Sequence, residues 1–186
     1  NPIGTVGNPF RGGFDGGNHK IKGLRINQNN EDAVGFFGYV DAKYSYCIPT
    51  PVYLDYREKS YIKNITFENP EVSNDGMAGI LIGKLTFNPT NAPETAVNIE
   101  SPTITIDNVH FIGGHVTSNT SDAGVIAANL NVIPKNSNKP YIHMNNIFSS
   151  TTISGYHSAG IVGFINDSFE SGSGIMLEFD LKNFQN

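Results

Sequence analysis

Five glycines, one Asp and one His share the stretch RGGFDGGNHKIKGL, from Arg11 to Leu24, and such a run can cradle a phosphate, seat a cation or turn the chain. A phosphate loop of the Walker kind needs Gly, four residues, then Gly-Lys-Ser/Thr; Gly12 and Gly17 have the gap, but Asn18 and His19 follow. A dinucleotide loop must lead into an amphipathic helix, whereas Ile21, Leu24 and Ile26 around Arg25 read as strand. GGFDGG looks like one unit of a calcium-binding repeat without the period that such sites require. What is left is turn chemistry over Asp15-Gly16-Gly17-Asn18, because Gly accepts positive φ cheaply and Asp and Asn bond their own backbone.

Other candidates for chemistry are sparse. His110 and His115 in HFIGGH are five apart on either side of a turn, with no third ligand at a matching spacing. His19, His143 and His157 read as exposed turn or strand residues. His-Glu-x-x-His and Gly-x-Ser-x-Gly do not occur, and the lone Cys47 permits neither an internal disulfide nor a cysteine-based zinc site. Asp41, Asp55, Arg57 and Glu58 gather the charge that a carbohydrate-active site would need, but in one Tyr-rich segment that reads as a solvated loop. The sequence therefore predicts no catalytic residue, no metal site and no cofactor.

The elements that must carry these residues follow from composition and repetition. With 186 residues and 38% apolar content the chain can bury a core, while 20 Gly against 12 Lys plus Arg disfavours long charged helices. Net charge is −5 and Arg11, Arg25 and Arg57 are scattered, so no basic stripe meets a nucleic acid. No window approaches the ~20 apolar residues of a membrane span. The opening NPIGTVG has neither a charged n-region nor an apolar run, and we expect a fragment or mature form of a larger protein.

Four similar blocks recur. They read IKGLRINQNNEDAVGFFGYV, IKNITFENPEVSNDGMAGILIGKL, IDNVHFIGGHVTSNTSDAGVIAANL and MNNIFSSTTISGYHSAGIVGFIN. Each opens on an apolar pair three apart, namely Ile21 with Leu24, Ile62 with Ile65, Ile106 with Val109 and Met144 with Ile147. Each closes on a small or β-branched residue before Gly, at Val34-Gly35, Ala78-Gly79, Ala123-Gly124 and Ala159-Gly160, and a short apolar run follows. Unequal spacing between openings marks a constant motif with variable connections, giving repeats of approximately 21–61, 62–105, 106–143 and 144–186.

Apolar residues at i, i+3 and i+5 (Ile62, Ile65, Phe67; Ile106, Val109, Phe111) do not fit a helix and suit a strand with a turn or bulge. Such short strands bury a face only if equivalent ones stack at ~4.8 Å. The predicted fold is all-β, a single parallel β-helix (β-solenoid), with one or two coils per repeat left open. Ala-Gly marks inward corners. Asn64, Asn108 and Asn146 either form an amide ladder or simply sit in turns. Between motifs, Pro49, Pro51, Pro89, Pro93, Pro102, Pro134 and Pro140 indicate loop or hairpin excursions. The alternation in AVNI and TITI adds strand.

FRGGFDGGNHKIKGLRI with VGFFGYV, and YIKNITFENPEV with AGILIG, resemble the GLUG-type repeat region of bacterial surface proteins, across roughly residues 8–166. Similar segments accompany metallopeptidases that cleave immunoglobulin A, and large adhesins. The resemblance implies a parallel β-helix outside the cell, on its surface or secreted, usually non-catalytic in itself. Longer Pro-rich connections, and Ala127-Ala128 where other blocks carry a second Gly, depart from the pattern. Three functions are expected: an adhesin, stalk or binding scaffold; a substrate-docking module of a secreted metallopeptidase; a carbohydrate-active or glycan-binding β-helix. The first is preferred, with a host protein or glycan, and other domains of the same polypeptide, as partners. Tyr44, Tyr46, Tyr53, Asp55, Tyr56 and Arg57 are the candidate binding residues, because aromatic rings and Arg in a loop on a rigid frame suit recognition.

Overall fold

The computed structural model describes residues 2–42, 60–87, 103–132 and 141–167, and the backbone of three further strands, Tyr46–Ile48, Leu54–Tyr56 and Glu178–Gln185. Among the described residues there is no helix. The first repeat supplies β1 (Gly13–Lys22), β2 (Arg25–Asn27), β3 (Ala33–Val34) and β4 (Phe37–Ala42), followed by β5 (Tyr46–Ile48) and β6 (Leu54–Tyr56). The second supplies β7 (Ser60–Glu68), β8 (Glu71–Asn74), β9 (Met77–Gly79) and β10 (Ile82–Phe87). The third gives β11 (Thr103–Ile112), β12 (His115–Ser118), β13 (Asp122–Gly124) and β14 (Ala127–Val132). The fourth gives β15 (Tyr141–Ser149), β16 (Thr152–Ser154), β17 (His157–Ala159) and β18 (Val162–Asp167), before β19 (Glu178–Gln185).

Equivalent strands pair in parallel. One sheet has five strands in the order β1-β7-β11-β15-β19, and three have four, ordered β4-β10-β14-β18, β2-β8-β12-β16 and β3-β9-β13-β17. Each repeat thus places one strand in each of four parallel sheets. This answers the question that the sequence left open, since a repeat is one layer of a stack.

The apolar spacing at i, i+3 and i+5 has a backbone cause. Asn64, Asn108 and Asn146 take φ of 58°, 52° and 51° within β7, β11 and β15. A left-handed residue inserts one extra position, so Ile65 faces the same way as Ile62 and normal alternation resumes at Phe67. Because all three strands carry the same irregularity, Val109 still pairs with Ile65 and with Ile147. Of the two readings of these asparagines the ladder is the one seen, and they lie inside strands, at a left-handed bulge, rather than in turns. Asn108 Nδ2 donates to Asn64 Oδ1 and to Asn18 Oδ1 at 3.0 Å each, and Asn146 Nδ2 donates to Asn108 Oδ1 at 2.9 Å.

Register in the first repeat differs from the sequence reading. Phe14, not Ile21, pairs with Ile62; Ile21 pairs with Phe67, and Ile26 with Val72. The cause is the glycine run, which lies inside β1 as an enlarged bulge between Asp15 and His19 where β7 has Asn64 alone. The expected turn chemistry appears there on a smaller scale. Gly17 N donates to Asp15 Oδ1 at 2.9 Å, and a Cβ on Gly16 would lie 2.5 Å from Asn64 O.

The small-residue corner is displaced by one residue in the last layer. Ala78 and Gly79 pair with Ala123 and Gly124, but these pair with Ser158 and Ala159 rather than with Ala159 and Gly160. Ala128, a departure in the sequence pattern, is buried beside Gly83 and Gly163 in the next column and fits there.

Inward residues form one core. Ile62, Ile65, Phe67, Val109, Phe111 and Ile147 belong to a single buried cluster, and Ala78 and Ala123 are fully buried. Each such Ile or Phe contributes about 1.5–3 kcal/mol relative to exposure. Phe67 and Phe111 stack across layers with centroids 5.5 Å apart and planes 6° from parallel. Below them the amino-terminal segment bridges Ile3 to Phe37 and Phe10 to Val40, and the Phe10 ring lies 4.7 Å from that of Phe37.

Candidate binding surface

The connections between strands have a consistent distribution. After the long strand of each layer come only Gly23-Leu24, Asn69-Pro70, Gly113-Gly114 or Ser150-Thr151. After the third strand come Gly35-Phe36, Ile80-Leu81, Val125-Ile126 or Gly160-Ile161. The long connections all leave from the ends of β4, β10, β14 and β18 and return at Ser60, Thr103, Tyr141 and Glu178. They emerge in sequence from one corner of the stack, because parallel pairing places those four strand ends side by side.

The Tyr-rich excursion belongs to this set. Within it β5 and β6 pair antiparallel, with Tyr46 opposite Tyr56, Cys47 opposite Asp55 and Ile48 opposite Leu54. The fold thus brings three of the candidate residues, Tyr46, Asp55 and Tyr56, onto one two-stranded hairpin. Tyr44, Tyr53, Arg57 and Glu58, together with the seven prolines of the connections, lie outside the described residues.

Of the charged candidates Asp41, Asp55, Arg57 and Glu58, Asp41 is the one whose side chain is described. It lies near the end of β4 with its side chain only 5% exposed, and Arg11 Nε donates to its Oδ2 at 2.9 Å. His110 and His115 fall on β11 and β12 either side of Gly113-Gly114, as expected, and the His110 ring lies edge-on to Phe148.

One constellation had no expected counterpart. His157 Nδ1 lies 2.9 Å from Asp122 Oδ1, while Asn129 Nδ2 donates to Asp122 Oδ2 at 2.9 Å. The imidazole stacks on Phe164, centroids 5.0 Å apart, and Tyr156 meets it edge-on. Asp122 is buried and His157 is its register partner in the next layer. The signal available in sequence was this equivalence between blocks, which the one-residue displacement of the last corner conceals.

Electrostatics elsewhere on the surface is local. The Asn64 amide, then the Gly17 N–H, hold the Asp15 carboxyl below its ordinary value of 3.8. Lys20 and Lys22, bonded to Glu68 at 2.6 and 3.2 Å, do the same for that carboxyl. Burial, reinforced by the bond to Asp32, pushes the Tyr39 phenol up. Among the described residues no group of His, Cys, Asp and Glu is arranged to hold a metal ion. No family model, curated protein or solved structure matches the chain.

Proposed function

We propose that the chain is a β-solenoid region of the GLUG-like kind, from a secreted or surface-displayed bacterial protein, that binds a host protein or glycan without turnover. The observation that carries this reading is the collection of all four long connections at one corner of an otherwise tightly turned stack. Variable segments on a rigid frame are the usual place for recognition. Tyr44, Tyr46, Tyr53 and Tyr56 supply contact area at low entropic cost, and Arg57 and Asp55 supply directional hydrogen bonds. In this reading the stacked layers are an adhesin's or stalk's framework, and chemistry is absent from it.

The test replaces Tyr53, Tyr56 and Arg57 with Ala together. Circular dichroism on the same sample checks that the variant keeps the parent's fold, and in that folded variant adhesion to host cells or retention on a glycan array should fall at least tenfold, about 1.4 kcal/mol. Undiminished adhesion by a folded triple variant removes the excursion from the reading. Release of sugar or peptide product by the intact chain would overturn its non-enzymatic character.

A further inference from the structure

A second site lies on the outward face of the β4-β10-β14 sheet, where the amino-terminal segment runs beside β4. There a cleft of about 190 Å³ is lined by Arg11, Tyr39, Asp41, Lys84, Thr86 and Asn131. Strand register produces the convergence. Tyr39 pairs with Lys84, while Asp41 pairs with Thr86, which pairs in turn with Asn131. Residues two apart on a strand share a face, so these side chains form two adjacent columns across three layers.

The charges do not cancel. Arg11 neutralises the buried Asp41 through its Nε, which leaves the terminal nitrogens of the guanidinium without a partner among the described residues. Lys84 has no ion pair among the described residues either. Among the described residues the cleft therefore carries a net positive charge, on a chain whose formal charge is −5. Beside these donors stand the Thr86 hydroxyl and Asn131 amide, which both donate and accept, and the half-buried ring of Tyr39.

We propose that this cleft binds one carboxylate-bearing sugar residue of an acidic glycan. The carboxylate sits between Lys84 and the free edge of Arg11, ring hydroxyls meet Thr86 and Asn131, and the sugar's apolar face lies against Tyr39. A planar guanidinium edge matches a carboxylate's two oxygens. The space is smaller than the ~300–1,000 Å³ of a drug-sized pocket, which fits a single ring. A bare anion would use the cations and leave the hydroxyl, amide and aromatic ring idle; a neutral sugar would leave Lys84 unpaired. Among the described residues that line the cleft none is a tyrosine of the excursion, so this site and the excursion are tested separately.

The test is titration of glucuronate, galacturonate, glucose and inorganic phosphate into the full chain, followed by amide and side-chain NMR shifts. Saturable shifts at Lys84, Thr86 and Asn131 are expected with at least one uronate, with glucose and phosphate at least about tenfold weaker. Lys84→Met should weaken the uronate at least about tenfold and Lys84→Arg should retain it, because the lost interaction is charge-assisted. Absence of saturable uronate binding overturns the proposal, as does equal affinity for glucose. Phosphate binding as tightly as uronate would reduce the cleft to a simple anion site. Unchanged uronate affinity in a folded Lys84→Met chain would place the ligand elsewhere.

Discussion

Asn108 combines a backbone role with a side-chain role. At φ 52° it occupies a region that most side chains enter at a cost of about 1–2 kcal/mol, and its amide bridges Asn18, Asn64 and Asn146. The two roles can be separated. Asn108→Gly keeps the backbone geometry and loses the ladder, at about 0.5–1.5 kcal/mol per bond removed. Asn108→Ala loses both, and in urea denaturation it should be less stable than the Gly variant by about 1 kcal/mol. A Gly variant as stable as the parent would show that the ladder contributes nothing; equal losses would show that strain contributes nothing. Acid provides another test at single residues. Asp15 and Glu68 have folded pKa values below their ordinary 3.8 and 4.5, so the stability they add is present above those values and is lost as pH falls through the lower, folded ones. Melting temperature should therefore drop below about pH 4, and Glu68→Gln should flatten part of that drop.

The strands explain which features were legible in sequence. Ile62, Ile65 and Phe67 announce an inward face because their interrupted spacing repeats at Ile106, Val109 and Phe111, and a pattern that recurs outweighs one that occurs once. The first repeat was misaligned because Gly16 and Gly17 enlarge the bulge in β1 without changing the look of the motif, so the nearest apolar pair, Ile21 and Leu24, stood in for Phe14. The last corner was misaligned because an Ala-Gly dipeptide happens to follow Ser158-Ala159 by one residue. Asp122 and His157 are 35 apart in sequence and become neighbours only once the layers are in register, so no local spacing could mark them. The corners also define a prediction. A Cβ on Gly124 would collide with the carbonyl oxygen of Ala127 and lie 2.9 Å from Gly163 N. Neither obstacle is a flexible side-chain end, so Gly124→Ala should lower stability by about 1–3 kcal/mol, whereas Ala159→Gly at the exposed equivalent position should change it by less than about 1 kcal/mol. Ala123→Lys is a harsher version, since burying an unpaired ammonium there costs several kcal/mol. Unchanged thermal melting in that variant would argue against stacking of the layers.

A chain whose strands pair only with those of the adjacent layers should respond to damage locally, with stability close to a sum of terms for each layer and each interface. The first layer is suited to such a test because its lower edge is covered by the amino-terminal segment. Ile3 N and Phe10 N donate to Phe36 O and Tyr39 O, Gly38 N and Asp41 N donate back to Ile3 O and Phe10 O, and the Phe10 ring packs on Phe37. Without this cover, β4 would present a row of unpaired donors and acceptors of the kind that recruits other strands. Phe10→Ala removes the largest side chain of the cover and leaves every backbone bond available. Because Phe10 is half-buried, the expected loss is at the low end of large-to-small substitutions, about 2–3 kcal/mol. Amide hydrogen exchange should show where that loss falls. Protection should drop in β1 to β4, where opening now costs less, and stay within about twofold of the parent in β13 and β14, two layers above. Equal loss of protection in all layers would mean that the chain opens as one cooperative unit, with interfaces between layers strong enough to override the weakness of any one of them.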